Sequence, residues 1–180
     1  MSIELEDGTG SGYRARVDND NRLHTSAVTF SESAEIARHH ADTYLWTSSF
    51  STNTGEEVIY IKNTSTTQNL IIDKATVNSV LTGLFELCTF TGTAGGTGIT
   101  GANSNRTSGK TASASSYGDA SVTGLTSATR IDLARVPANG RATMELNDVL
   151  ILGQGDSIAI TYTGSTGITD TIITGYYIDP

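Results

Sequence analysis

Few residues in this chain have the types and spacing to do chemistry, so each motif can be weighed singly. Gly109-Lys110-Thr111 has the ending of a phosphate-binding loop, in which backbone N–H groups and a lysine cradle the phosphates. Such a loop needs a glycine where Ser104 stands, and no apolar strand precedes it, so nucleotide binding is not supported. Asp18-Asn19-Asp20-Asn21 begins like a calcium loop of alternating oxygen ligands. Arg22 and Leu23 then occupy the places of an oxygen ligand and of the turn glycine, and Thr29 that of the bidentate Glu. A polar turn is the simpler reading.

The remaining candidates fail on geometry. His39 and His40 are adjacent, so they diverge by about 100° on a helix and oppose each other on a strand, and neither arrangement shares a metal. His24 is the only other histidine, and no serine lies in a Gly-x-Ser-x-Gly elbow, which leaves no basis for a triad. Glu56-Glu57 opens an apolar run, where two solvated carboxylates are simpler than the acid pair of a glycosidase. Cys88, the single cysteine, sits in the apolar run Leu84 to Phe90 and reads as a small buried hydrophobe, not a reactive thiol. The chain therefore reads as a non-enzyme with no catalytic, metal or cofactor site.

The elements that carry these residues are β-strands. The clearest run from Arg141 to Ile178: Thr143 to Leu146, Val149 to Leu152, a Gly153-Gln154-Gly155-Asp156 turn, Ser157 to Tyr162, then Asp170 to Ile178. In Ser157 to Tyr162 the residues Ile158, Ile160 and Tyr162 fall on one face and Ser157, Ala159 and Thr161 on the other, the period-2 pattern of a sheet with one wet side. Upstream, Thr43 to Phe50, Glu57 to Asn63, Asn69 to Val77, Gly83 to Thr91 and Arg130 to Val136 read as further strands. Apolar runs without strict alternation, such as Val58 to Ile61, imply strands covered on both faces or lying close to an interface. Between Thr91 and Thr129 the chain is Gly, Ser, Thr, Ala and Asn with little apolar content, which predicts one or two weak strands and a projecting loop.

With 180 residues there is enough chain for one sandwich core. Evenly spaced short strands with turns between them predict an all-β fold, a single antiparallel jelly-roll-like sandwich over 43–180; the jelly roll is preferred because Gly155-Asp156-Ser157 resembles the turn leading into the penultimate strand of many jelly-roll domains. Residues 1–42 read as an extended N-terminal arm. It holds a hairpin, with short strands at Tyr13 to Val17 and Arg22 to Thr25, and a short helix within Thr29 to Ala41, where Thr29 and Glu32 form a capping box.

Charge and composition exclude several partners. A net charge of −8 argues against a nucleic-acid backbone, which clustered Lys and Arg would have to neutralise. No apolar run approaches the ~20 residues that span a bilayer, and the N-terminus has no signal-peptide pattern, so membrane association is not expected and assembly is expected in a cytoplasm.

The segment Glu6-Asp7-Gly8-Thr9-Gly10-Ser11-Gly12-Tyr13-Arg14-Ala15-Arg16-Val17-Asp18-Asn19-Asp20-Asn21-Arg22-Leu23 resembles the opening of a group of small virion proteins of tailed bacteriophages. The likeness runs loosely through Ala41-Asp42-Thr43-Tyr44 and Tyr60-Ile61-Lys62-Asn63, and is compositional beyond that. Members of this group look like capsid decoration, or cement, proteins: β-rich, often trimeric, seated on the outside of the shell between capsomers. The resemblance implies a homotrimer on the virion surface whose partner is the major capsid protein. Tyr13, Arg14, Arg16 and Arg22 of the arm are then the capsid-contact residues, since alternating Arg and apolar residues on an acidic chain suit an acidic protein surface. The alternative is a tail- or fibre-associated module that recognises a host surface glycan through the loop residues Asn103, Asn105, Tyr117 and Asp119.

Overall fold

The computed structural model describes Leu5–Glu6, Arg14–Val17, Leu23–His24, Ile36 and residues 42–180, with the backbone alone for the three N-terminal segments, Thr93 and residues 119–128. The chain divides into two compact units, Met1–Ser31 and Glu32–Pro180. In the first, β1 (Leu5–Glu6), β2 (Arg14–Val17) and β3 (Leu23–His24) form an antiparallel sheet in the order β1-β2-β3. Leu5 pairs with Ala15, and Arg16 with His24. The expected arm hairpin is β2 with β3, and β1 adds a third strand. Of the expected helix only Ile36 lies within the described residues, where it is helical and buried.

The second unit is all-β. Its strands are β4 (Thr43–Thr52), β5 (Glu56–Asn63), β6 (Asn69–Ser79), β7 (Gly83–Gly98), β8 (Ala102–Asn103), β9 (Ala114–Val136), β10 (Gly140–Leu152), β11 (Ser157–Gly164) and β12 (Gly167–Ile178). One sheet has the order β10-β6-β12-β4-β8; in the other, β11 lies between β5 and β7, and β9 flanks β7. Apart from β7 and β9, and the short β8 at the far edge, successive strands alternate between the two sheets. That is the jelly-roll arrangement, with two antiparallel sheets packed face to face.

The core follows from the alternation. Trp46, Ile59, Ile61, Leu70, Ile72, Val77, Phe85, Leu87, Ile158, Ile160 and Ile173 are fully buried between the sheets. Removing such side chains from water contributes about 1.5–3 kcal/mol each.

Two features depart from a simple sandwich. First, most of Thr91 to Thr129 is strand, carrying β7 on to Gly98 and β9 back to Ala114, and the loop is confined to residues 99–113, which hold the short β8. β7 and β9 pair with each other from Gly83↔Val136 to Gly98↔Tyr117, and the start of β9 pairs again with β5, from Asn63↔Ala114 to Glu57↔Val122. The four strands β11-β5-β9-β7 thereby close on themselves. Tyr60 and Ala159, on the face turned away from the main core, are buried with Ala94 and packed by Phe90 and Tyr117. The face of β11 expected to be wet is accordingly dry: Ser157 and Ala159 are buried and only Thr161 is partly accessible.

Second, the two strands expected at Thr143 to Leu146 and Val149 to Leu152 are one strand, β10, broken by a bulge between Glu145 and Leu150. Asn147 and Asp148 take left-handed backbone angles there (φ 47° and 63°), which short polar side chains tolerate. Because β10 is an edge strand, this bulge and the exposed Arg141 and Glu145 blunt an edge that could otherwise recruit another chain.

Candidate functional site

Ionisable and aromatic side chains converge where β4 begins, β12 ends and β8 lies along the edge of β4. β8 pairs through Tyr44↔Asn103 and Leu45↔Ala102, and the Ser104 N–H donates to the Thr43 carbonyl (2.8 Å). Gly101 permits this approach: a Cβ there would stand 2.7 Å from the Trp46 ring.

The loop after β8 is shaped by its own side chains. Asn103 Oδ1 accepts from the Asn105 N–H (2.8 Å), Asn105 Oδ1 accepts from the Thr107 hydroxyl (2.7 Å), and Ser108 Oγ accepts from the Lys110 N–H (3.1 Å). Such side chain to backbone bonds fix turns that would otherwise be floppy. Their product is the position of Lys110, whose Nζ lies 2.7 Å from Asp42 Oδ2 across 68 residues of sequence.

Asp42 is buried, and its surroundings are aromatic. The Tyr44 hydroxyl lies 3.5 Å from Asp42 Oδ1, and the Tyr177 N–H donates to the Asp42 carbonyl (3.0 Å). The Tyr44 ring packs edge-on against Tyr177 (5.7 Å between centroids) and tilted against Trp46 (6.0 Å). Burial pushes the Tyr177 hydroxyl above the ordinary tyrosine range, with Tyr44 and the Asp42 charge adding to the shift. Burial also raises Tyr44, helped by Asp42 and opposed by a hydrogen bond with Asn103. Both the Tyr177 hydroxyl and Trp46 Nε1 are buried without a hydrogen-bond partner. An unpartnered buried polar group costs about 1–3 kcal/mol, so two in one cluster mark a locally unfavourable arrangement.

Beside this cluster lies a recess of about 460 Å³ lined by Ile36, Asp42, Gln68, Lys110, Tyr177, Ile178 and Asp179. Two of these lining residues are bonded to each other, Gln68 Nε2 donating to Asp179 Oδ1 (3.2 Å). The recess offers carboxylates, an ammonium and an amide beside two isoleucines, an arrangement suited to binding.

The residues singled out from sequence are distributed differently. Asn103 and Asn105 come together beside the recess, where they shape the loop that delivers Lys110. Tyr117 is elsewhere: it lies on β9 against Tyr60, with ring centroids 6.1 Å apart. Asp119 belongs to β9 by its backbone. Arg14 and Arg16 lie on β2, opposite Glu6 and His24, while Tyr13 and Arg22 fall outside the described residues. Glu56 closes the β4–β5 turn, accepting from the Asn53 N–H (2.6 Å) and side-chain amide (2.9 Å). Cys88 is buried, and that burial raises its thiol. Among the described residues no group of three or more His, Cys, Asp or Glu is placed to hold a metal.

Sequence reasoning missed Asp42, Lys110 and Tyr177 as a set. Lys110 had drawn notice only as the end of a failed phosphate-loop motif, and nothing local links it to Asp42. No protein-family model matches the chain, and searches of curated proteins and of solved structures return no match.

Proposed function

We propose that the protein is a structural, non-enzymatic virion component that binds the outside of a phage capsid as a decoration protein and stabilises the shell. One observation carries this reading: the division of the chain into a jelly-roll body, Glu32–Pro180, and a separate small unit, Met1–Ser31. The described strands of the small unit are two, four and two residues long, and sheet of that extent gains stability from a surface to lie on. An arm of that kind, with Arg14, Arg16 and Arg22 among its apolar residues, is suited to ordering against the major capsid protein.

In a homotrimer three such arms bind together. Each contact is weak, but once one arm is seated the others bind at high effective concentration, and release becomes slow. Binding to the assembled shell in preference to its dissociated subunits stabilises the shell by mass action. The protein then resides on the virion surface after assembly in the host cytoplasm.

The test is the solution mass by light scattering, combined with co-sedimentation on empty shells of the parent virus. The expected result is a mass of three chains, stoichiometric shell binding, and loss of binding when Met1 to Arg22 are deleted. A monomer that ignores shells overturns the reading, and a deletion variant that still binds overturns the assignment to the arm.

A further inference from the structure

We infer that the recess bounded by Asp42, Lys110, Gln68, Tyr177 and Asp179 is a binding site for a neutral sugar, a function separate from shell binding and independent of it. The chemistry of the lining selects the ligand by elimination. Among the described lining residues two carboxylates face one ammonium, a net acidic set that disfavours phosphate and other anions. Lys110 Nζ, 2.7 Å from Asp42, already supplies the positive charge that a metal cation would bring. A wholly apolar ligand would leave Asp42 and Lys110 without compensation for the water it displaced.

A sugar hydroxyl meets these constraints because it donates and accepts at once. One such group donates to the Asp42 carboxylate while accepting from the Lys110 ammonium, and a neighbouring hydroxyl is served by Gln68 and Asp179. Ile36 and Ile178 give the C–H face of the ring an apolar wall. The volume, about 460 Å³, falls within the ~300–1,000 Å³ usual for small-molecule sites. Tyr177, in edge-on ring contact with Tyr44 beside the Asp42 charge, forms part of the lining, while its own hydroxyl is buried away from solvent. Trp46, the chain's single tryptophan, stacks on Tyr44 and so reports on the cluster by its fluorescence.

The experiment titrates the full chain with D-glucose, D-galactose, N-acetyl-D-glucosamine and L-rhamnose, followed by saturation-transfer NMR and tryptophan fluorescence, with inorganic phosphate and calcium chloride as comparison ligands. At least one sugar is expected to bind saturably with a Kd on the order of 1 mM. Lys110→Met and Asp42→Asn are each expected to weaken it about tenfold, as loss of a charge-assisted hydrogen bond does. Tyr177→Phe keeps the ring packing and removes only a buried, unpartnered hydroxyl; it is expected to leave sugar binding unchanged and Tm equal or higher, and so serves as the control. Retention on an immobilised polysaccharide of the best-binding sugar would identify a cell-surface glycan as the source, and binding of the monosaccharide alone a free sugar. Failure of all four sugars to bind at about a hundredfold above that concentration overturns the inference. So does preference for phosphate or calcium, or undiminished sugar binding by both folded charge variants, Lys110→Met and Asp42→Asn.

Discussion

The inter-sheet core and the small cluster under the β7–β9 ribbon bury side chains by different means. The core takes large residues from both sheets, with Phe85 and Tyr162 in ring contact (5.0 Å) amid Ile, Leu and Val. Among the described residues the small cluster buries one tyrosine, Tyr60, with Ala94 and Ala159, and Phe90 and Tyr117 lean on it. A ring of four strands is narrow, so its backbone must bend sharply. Four register shifts between β7 and β9 provide that bend, and Gly92 and Gly96 adopt φ of 111° and 147°. Within β7 and β9 the Gly/Ser/Thr composition is therefore what tight curvature requires, and only residues 99–113 use it for a loop.

Four substitutions sharpen this contrast. Phe85→Ala, in the core, is expected to cost about 3–5 kcal/mol, read as a shift in the midpoint of urea unfolding. Gly92→Val removes no contact and sits on an accessible residue, yet it is expected to cost about 1–3 kcal/mol because a β-branched residue is strained at φ 111°. A neutral result would show that the ribbon does not depend on its backbone bend. Phe90→Ala, at the edge of the small cluster, is expected to cost about 1–2 kcal/mol, less than Phe85→Ala because less area leaves water. Equal losses at Phe85 and Phe90 would erase the distinction between the two clusters.

The smallest expected effect is at Glu57, which pairs with Val122 where the ring closes. Burial raises its carboxyl above the ordinary value of 4.5, with Glu56 adding to the shift and a backbone hydrogen bond opposing it. The folded state thus holds this proton more tightly than the unfolded chain. Stability falls as pH rises from about 4.5 through the folded value, and the neutral form is the one that fits. Glu57→Gln is expected to raise Tm at pH 7 and to flatten its pH dependence above 4.5. An unchanged profile would show the carboxylate to be fully hydrated when folded.

Much of the β pattern was legible because alternation and turn chemistry are local. Ser157 to Tyr162 lies within β11, and the turn before it is the one the glycines mark, with Gly155 at φ 86°. Asn69 to Val77 lies within β6, and Asp170 to Ile178 within β12. Of the two readings of the consecutive apolar residues Val58 to Ile61, coverage on both faces holds, since all four are buried. By contrast β10 looked like two strands, because a bulge and a turn use the same residues and differ only in whether the partner strand continues. The face of Ala159 looked wet because no signal in β11 tells that β9 returns to cover it.

The candidate site was the least legible part. Asn103 and Asn105 were noticed for their amides, which are spent on their own loop, while Lys110 was judged against a motif it does not satisfy. The pairing of Lys110 with Asp42, like that of Tyr44 with Tyr177, depends on strands that meet only after the sheets have assembled.

What the sequence by itself determined, then, was the strand content, the antiparallel sandwich and most of the turns, all of which follow from contacts between near neighbours. The tertiary structure alone decided the closure of β11-β5-β9-β7, the dry outer face of β11 and the meeting of Asp42, Lys110 and Tyr177. The physical reason is that burial and charge pairing are properties of surfaces brought together over long sequence separations, and a strand's own pattern does not specify what will lie across from it.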